Sequence, residues 1–135
     1  MKYAHQFIDI ACSFDDAMAL FGDPARLPEW AVAYCQGVEE TPEGFVATTV
    51  EGPRCIAVRP DHETGVTDVM SGGSHDALDD VLHVRVVGSR PDLTLVSFVY
   101  APPGEVPAEV LELMQSGLAT EAAHAKATLE AAAAR

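Results

Sequence analysis

The chain has 135 residues, 48% of them apolar, a length and composition that fit one domain with a real core and argue against wholesale disorder. Its 8 Lys+Arg against 21 Asp+Glu give a formal net charge of −13. With two lysines, Lys2 and Lys126, and six scattered arginines, no cationic patch can neutralise phosphates, so nucleic acid and anionic membrane surfaces are excluded as partners.

Taken in chain order, Lys2 to Ala11 alternates as a strand, with Ala4, Gln6, Ile8 and Ile10 on one face and Tyr3, His5, Phe7 and Asp9 on the other. Ser13-Phe14-Asp15-Asp16 has the spacing of a helix start, and Phe14, Ala17, Met18 and Phe21 form an apolar stripe that Gly22 ends. Asp23-Pro24 opens a second short helix, which stops near Pro28. Trp30–Val38 alternates large and small residues and predicts a strand. Thr41–Gly44 predicts a turn, and Phe45–Glu51 a β-branched strand broken by Gly52-Pro53. Arg54–Arg59, Val66–Met70, Val81–Val87 and Leu93–Ala101 are further strands. They are separated by polar turns at Pro60–Gly65, Ser71–Asp80 and Gly88–Asp92. A meander of about six antiparallel strands therefore follows the helical pair.

After Ala101-Pro102-Pro103-Gly104, Pro107 to Ala134 reads as one helix, roughly 40 Å long at about 1.5 Å per residue. Leu111, Met114, Leu118, Ala122, Ala125 and Leu129 share its apolar face. Glu105, Glu109 and Glu112 lie near its positive end, and Lys126 and Arg135 near its negative end. The whole chain, 1–135, is expected to form one domain.

No basic start followed by an apolar run marks a secretory signal, and no stretch nears the length of a membrane span, so a cytoplasmic protein without membrane attachment is expected. Cys12, Cys35 and Cys55 are odd in number and widely spaced, and read as buried reduced thiols. No metal and no cofactor is expected. Asp61, His62, Glu63, Asp68, His75, Asp76, Asp79, Asp80 and His83 lack any recognised ligand spacing. Ser71-Gly72-Gly73-Ser74 lacks the lysine and following helix of a phosphate loop, and no GxSxG elbow occurs.

Three groups of residues are candidates for a site. A hairpin centred between Asp76 and Ala77 puts Asp68 opposite Arg85 and Met70 opposite His83, all on one face. A carboxylate, an imidazole and a guanidinium together can polarise a carbonyl or move a proton. The opposite face of the same strands, with Thr67, Val69, Leu82, Val84 and Val86, is strongly apolar, so the polar trio faces either a cavity or water. A second group is aromatic and apolar: Trp30, Tyr34, Phe45, Phe98, Tyr100, Met114 and Leu118, which either fill a core or line a cavity. The third is a run of small residues on the long helix, Gly117, Ala119, Ala122, Ala123 and Ala125. They suit either empty space against the sheet or close helix–sheet packing.

The order strand, two short helices, antiparallel meander, long C-terminal helix resembles the helix-grip order of the START/Bet v 1-like superfamily, also called SRPBCC. The residues behind the likeness are Ile8-Asp9-Ile10-Ala11 with Ser13–Leu20, the segment Asp23-Pro24-Ala25-Arg26-Leu27-Pro28-Glu29-Trp30, and Leu118 through Leu129-Glu130. Gly65-Val66-Thr67-Asp68 and Val84-Arg85-Val86-Val87 resemble a bacterial subgroup without an assigned function. The resemblance implies an α+β helix-grip fold: a curved antiparallel sheet of about seven strands, two short helices after the first strand, and a long C-terminal helix across the concave face. It also implies a cavity between sheet and helix that takes a lipid, polyketide or other small apolar molecule. Polyketide cyclase or dehydratase chemistry, with Arg85, His83 or Tyr100 orienting a carbonyl, is the alternative. A homodimeric interaction module without a ligand is the third possibility, because strands such as Phe45–Val50 leave apolar surface to cover.

Overall fold

The computed structural model describes residues 2–135. Seven strands form one antiparallel sheet: β1 (Ala4–Ile10), β2 (Gly37–Thr41), β3 (Gly44–Thr49), β4 (Gly52–Asp61), β5 (Val66–Gly72), β6 (Asp80–Arg90) and β7 (Leu93–Tyr100). Their spatial order is β1-β7-β6-β5-β4-β3-β2, a meander whose first strand returns beside the last. The helix α1 (Phe14–Phe21) and a 3-10 helix (Pro24–Glu29) follow β1, and α2 (Ala108–Ala133) ends the chain. This is the expected helix-grip α+β arrangement, with short helices and a long C-terminal helix against a curved sheet.

The alternation read from the sequence carries through to the sheet's two faces. In β1, Ala4, Gln6, Ile8 and Ile10 point inward and His5, Phe7 and Asp9 outward. Thr67, Val69 and Ser71 of β5, Val84 and Val86 of β6, and Thr94, Val96 and Phe98 of β7 make the buried face. One end of that face is filled by the short helices. Phe21, Trp30 and Phe98 pack ring against ring there, with centroids 5.1, 5.6 and 5.9 Å apart. Ser13 Oγ accepts the Asp16 N–H at 3.1 Å and so caps α1, and Asp23 Oδ1 accepts the Ala25 N–H at 2.9 Å and caps the 3-10 helix. Gly65 has φ +77°, and a Cβ there would lie 1.9 Å from the Val86 carbonyl oxygen, so only glycine closes this turn over β6.

The edge strand β1 is covered by α2 side chains. Gln115 donates to the His5 carbonyl at 2.7 Å and accepts the His5 N–H at 2.9 Å, imitating a strand neighbour. Glu130 accepts the Ala11 N–H at 2.9 Å, and Lys126 donates to the Asp9 carbonyl. Backbone groups of an open sheet edge are thereby satisfied, and α2 is fixed along the sheet.

Several expectations are corrected. Trp30–Val38 is not a strand until Gly37. The N–H groups of Trp30 and Ala31 return to the Leu27 carbonyl, and those of Tyr34 and Cys35 to the Ala31 carbonyl, making two successive turns. Burial of the Trp30 ring against Phe21 and Phe98 outweighs the large–small alternation. Gly52-Pro53 starts β4 rather than merely breaking β3, with Pro53 opposite Thr48 and the reversal at Val50-Glu51. The β5–β6 hairpin turns through Ser74–Ala77, closed by the Ala77 N–H on the Ser74 carbonyl at 3.1 Å, so Val66 rather than Asp68 lies opposite Arg85. The slip is two residues, which leaves every side chain on its expected face. Cys12 and Cys35 are buried, whereas Cys55 is half-buried.

Candidate functional site

Beside the aromatic cluster, where Trp30 forms part of the wall, α2 does not close onto the strands. The small residues Ala33 and Gly117 face each other there, and a Cβ added to Gly117 would meet the Ala33 Cβ at 3.3 Å. A partly open cavity of about 580 Å³ remains between α2, the turns after Trp30, and strands β3 to β7. Its walls are largely apolar: Leu27, Ala31, Val69, Leu82, Met114 and Leu118. Val50 and Leu113 also line it and are 83% and 72% exposed, so the mouth carries an apolar rim.

Several polar residues stand in the walls of this space. The Trp30 ring is fully buried, yet its Nε1–H has no hydrogen-bond partner among the described residues, and neither has the Tyr34 hydroxyl. Buried donors are nearly always paired, so two orphans in one cavity wall are unusual. Glu121 projects from the inner stripe of α2 and is only 6% exposed. One of its oxygens accepts the Tyr34 N–H at 3.2 Å. Burial pushes the Glu121 carboxyl up to about 7, against a smaller downward pull from the backbone N–H groups of Tyr34 and Ala33. Across the cavity the Tyr100 hydroxyl donates to Asp80 at 2.9 Å, and burial together with that carboxylate pushes the phenol's pKa up. Thr49, Glu51, Arg54 and Ser71 complete the polar lining. The Thr49 hydroxyl is already used, donating to the Gly52 carbonyl at 2.7 Å.

The residues singled out from the sequence fall into three places. Trp30, Tyr34, Tyr100, Met114, Gly117 and Leu118 line the cavity. Phe98 is buried in the aromatic cluster, and Phe45 packs against the core opposite Ile56; neither reaches the cavity wall. Asp68, His83 and Arg85 do come together, but on the outer face, so of the two orientations open to them they take the one toward water and stand outside the cavity. Arg85 donates to Asp68 at 2.8 Å and His83 Nδ1 lies 3.6 Å from the same carboxylate, with the Arg85 and His83 side chains nearly half exposed. The apolar partners on the other face of these strands bury more surface by facing α1 and the core, and this decides the orientation.

Glu121, Asp80 and Arg54 were not singled out as site residues. Glu121 had a readable signal: it stands three residues after Leu118 and four before Ala125, on the inward stripe, where a carboxylate is out of place. Arg54 and Asp80 carry none, because their position in the cavity depends on strand register. Among the described residues, no three His, Cys, Asp or Glu side chains converge as metal ligands do. No helix among them is long and apolar enough to cross a membrane.

No family model and no curated protein matches the chain. Solved structures do match. A START superfamily protein from Mycobacterium smegmatis superposes with a TM-score of 0.68 at 13% identity, over 95% of this chain and 97% of that one. The Aha1 dimer from Colwellia psychrerythraea gives 0.71 at 12% identity, over 96% and 97%. The di-domain ARO/CYC BexL of the BE-7585A biosynthetic pathway gives 0.71 at 17% identity, over 96% of this chain and 47% of that one. At such identities the likeness is one of architecture. The chain shares the helix-grip fold of these structures.

Proposed function

We propose that the protein binds a small, mainly apolar molecule in the cavity between the sheet and α2. One observation carries the reading: a partly open pocket of about 580 Å³ with largely apolar walls lies between the sheet and α2. Its volume lies in the range of small-molecule sites, and its few polar groups among apolar walls match their usual make-up. Of the residues first weighed for orienting a carbonyl, Arg85 and His83 lie outside the cavity; Tyr100 lines it, but its hydroxyl is engaged by Asp80. Binding is therefore preferred over catalysis.

Native mass spectrometry of the protein purified gently from its own host tests this. The expected result is a population heavier than the bare chain that releases a small molecule on denaturation. Bare protein that also fails to take up any apolar probe overturns it.

A second reading concerns assembly. Phe7 is 66% exposed on the outer face of β1, with Val99 and Val87 exposed on the outer faces of β7 and β6. We propose that two chains meet through this face. Light scattering at micromolar concentration is expected to give twice the chain mass, and a monomer refutes the pairing.

A further inference from the structure

Resting on the ligand-binding reading, we propose that the cavity takes an apolar molecule ending in one carboxylate, with the apolar part against the walls and the carboxylate held by Arg54. Arg54 shares a face of β4 with the buried Ile56 and stands opposite the fully buried Ala47 of β3. Strand alternation therefore turns it to the concave side, where it lines the cavity. It is half-buried there, and among the described residues no carboxylate lies within ion-pair distance of it. The chain's other basic side chains differ. Arg26, Arg85, Arg90 and Lys126 each have a carboxylate at 3.8 Å or less, and Lys2, Arg59 and Arg135 are exposed. In a chain with 21 acidic residues, the partly buried cation without a partner is the one in the cavity wall.

The acids of the same wall are already engaged or in water. Both Asp80 oxygens accept from the Tyr100 hydroxyl, at 2.9 and 3.2 Å. Glu121 accepts the Tyr34 N–H, and burial moves it toward the neutral acid. Glu51 is exposed at the β3–β4 turn. A guanidinium taken partly out of water is costly without a counter-charge, and its planar fork matches a carboxylate through two parallel hydrogen bonds. An ammonium head group would add a second cation beside Arg54. A doubly charged phosphate ester would leave one negative charge uncompensated in a wall that also holds Asp80 and Glu121. A hydroxyl or ketone offers the guanidinium a hydrogen bond but no charge. A single carboxylate supplies both.

The test uses one alkyl chain with three head groups: decanoate, 1-decanol and decylammonium, below micelle-forming concentrations and at about pH 6, where an ordinary carboxylic acid is ionised. Trp30, the chain's single tryptophan, stands in the cavity wall, so its fluorescence follows binding, and calorimetry provides the second readout. Decanoate is expected to bind at least about tenfold tighter than decylammonium. Arg54→Gln is expected to weaken decanoate by about tenfold or more and to leave 1-decanol within about twofold. Arg54→Lys is expected to recover part of the loss, since it restores the charge without the fork. The unchanged 1-decanol affinity separates loss of an anchor from damage to the cavity. Equal losses for decanoate and 1-decanol, an unchanged decanoate affinity in Arg54→Gln, or tightest binding of decylammonium refutes the anchor while the cavity still binds ligand. If none of the three probes binds, the ligand-binding reading fails with it.

Discussion

Glu121 on α2 accepts the backbone N–H of Tyr34 at 3.2 Å, across 87 positions of sequence. This contact joins the C-terminal helix to the turns that carry Trp30 and Tyr34. It places a carboxyl at the base of an apolar cavity with no basic side chain bonded to it.

The first prediction is a pH dependence of stability. The carboxyl of Glu121 is raised from 4.5 to about 7 by burial, so the folded chain holds that proton more tightly than the unfolded one. Its contribution is fully present below pH 4.5, declines as pH rises from there to about 7, and is gone above. The full effect is on the order of 3 kcal/mol. Glu29 and Glu130, whose carboxyls are held low, act in the opposite sense and at lower pH. Urea midpoints between pH 5 and 8 are expected to fall in the parent and to flatten in Glu121→Gln; equal slopes contradict the assignment.

Removing the orphan hydroxyl is expected to help the empty protein. Tyr34→Phe deletes a buried group without a partner, and keeps the ring. Its stability without ligand should rise by about 1 kcal/mol, measured as a higher denaturant midpoint. A loss of stability instead shows that the hydroxyl is paired, by water or protein.

Gly117 separates helix preference from cavity volume. Gly117→Ala gains up to about 1 kcal/mol in helix propensity, reduced by the 3.3 Å approach to Ala33. Gly117→Leu adds a side chain at the cavity wall and is expected to weaken binding of an uncharged apolar probe such as Nile red by at least about tenfold while circular dichroism keeps the same helix content. Unchanged binding in the leucine variant places the ligand elsewhere.

The outer-face cluster is expected to contribute little. Asp68 pairs with Arg85 at 2.8 Å, where both groups meet solvent. Asp68→Asn should change stability by less than about 1 kcal/mol and leave probe affinity untouched. A large loss of affinity puts these side chains back in the site.

The sequence by itself determined the order of the elements and the two faces of each strand. Alternation in β1, β5 and β6, and the Leu111–Leu129 stripe of α2, follow from local periods of 2 and 3.6 and need no partner to be read. Local pattern cannot say which face another element covers. Asp68, His83 and Arg85 were placed correctly together, and their exposure was decided by α1 and the core packing on the other side. The small residues of α2 were equally compatible with a cavity and with close packing. The tertiary arrangement divided them: Gly117 lines the cavity, Ala122 and Ala125 pack closely in the core, and Ala119 and Ala123 face solvent, because the fit between α2 and strands distant in sequence sets where space remains. The same distance effect turned Trp30–Gln36 out of a strand and into the site wall. It also made a neutral-pH acid of Glu121, since only the surrounding elements remove its water.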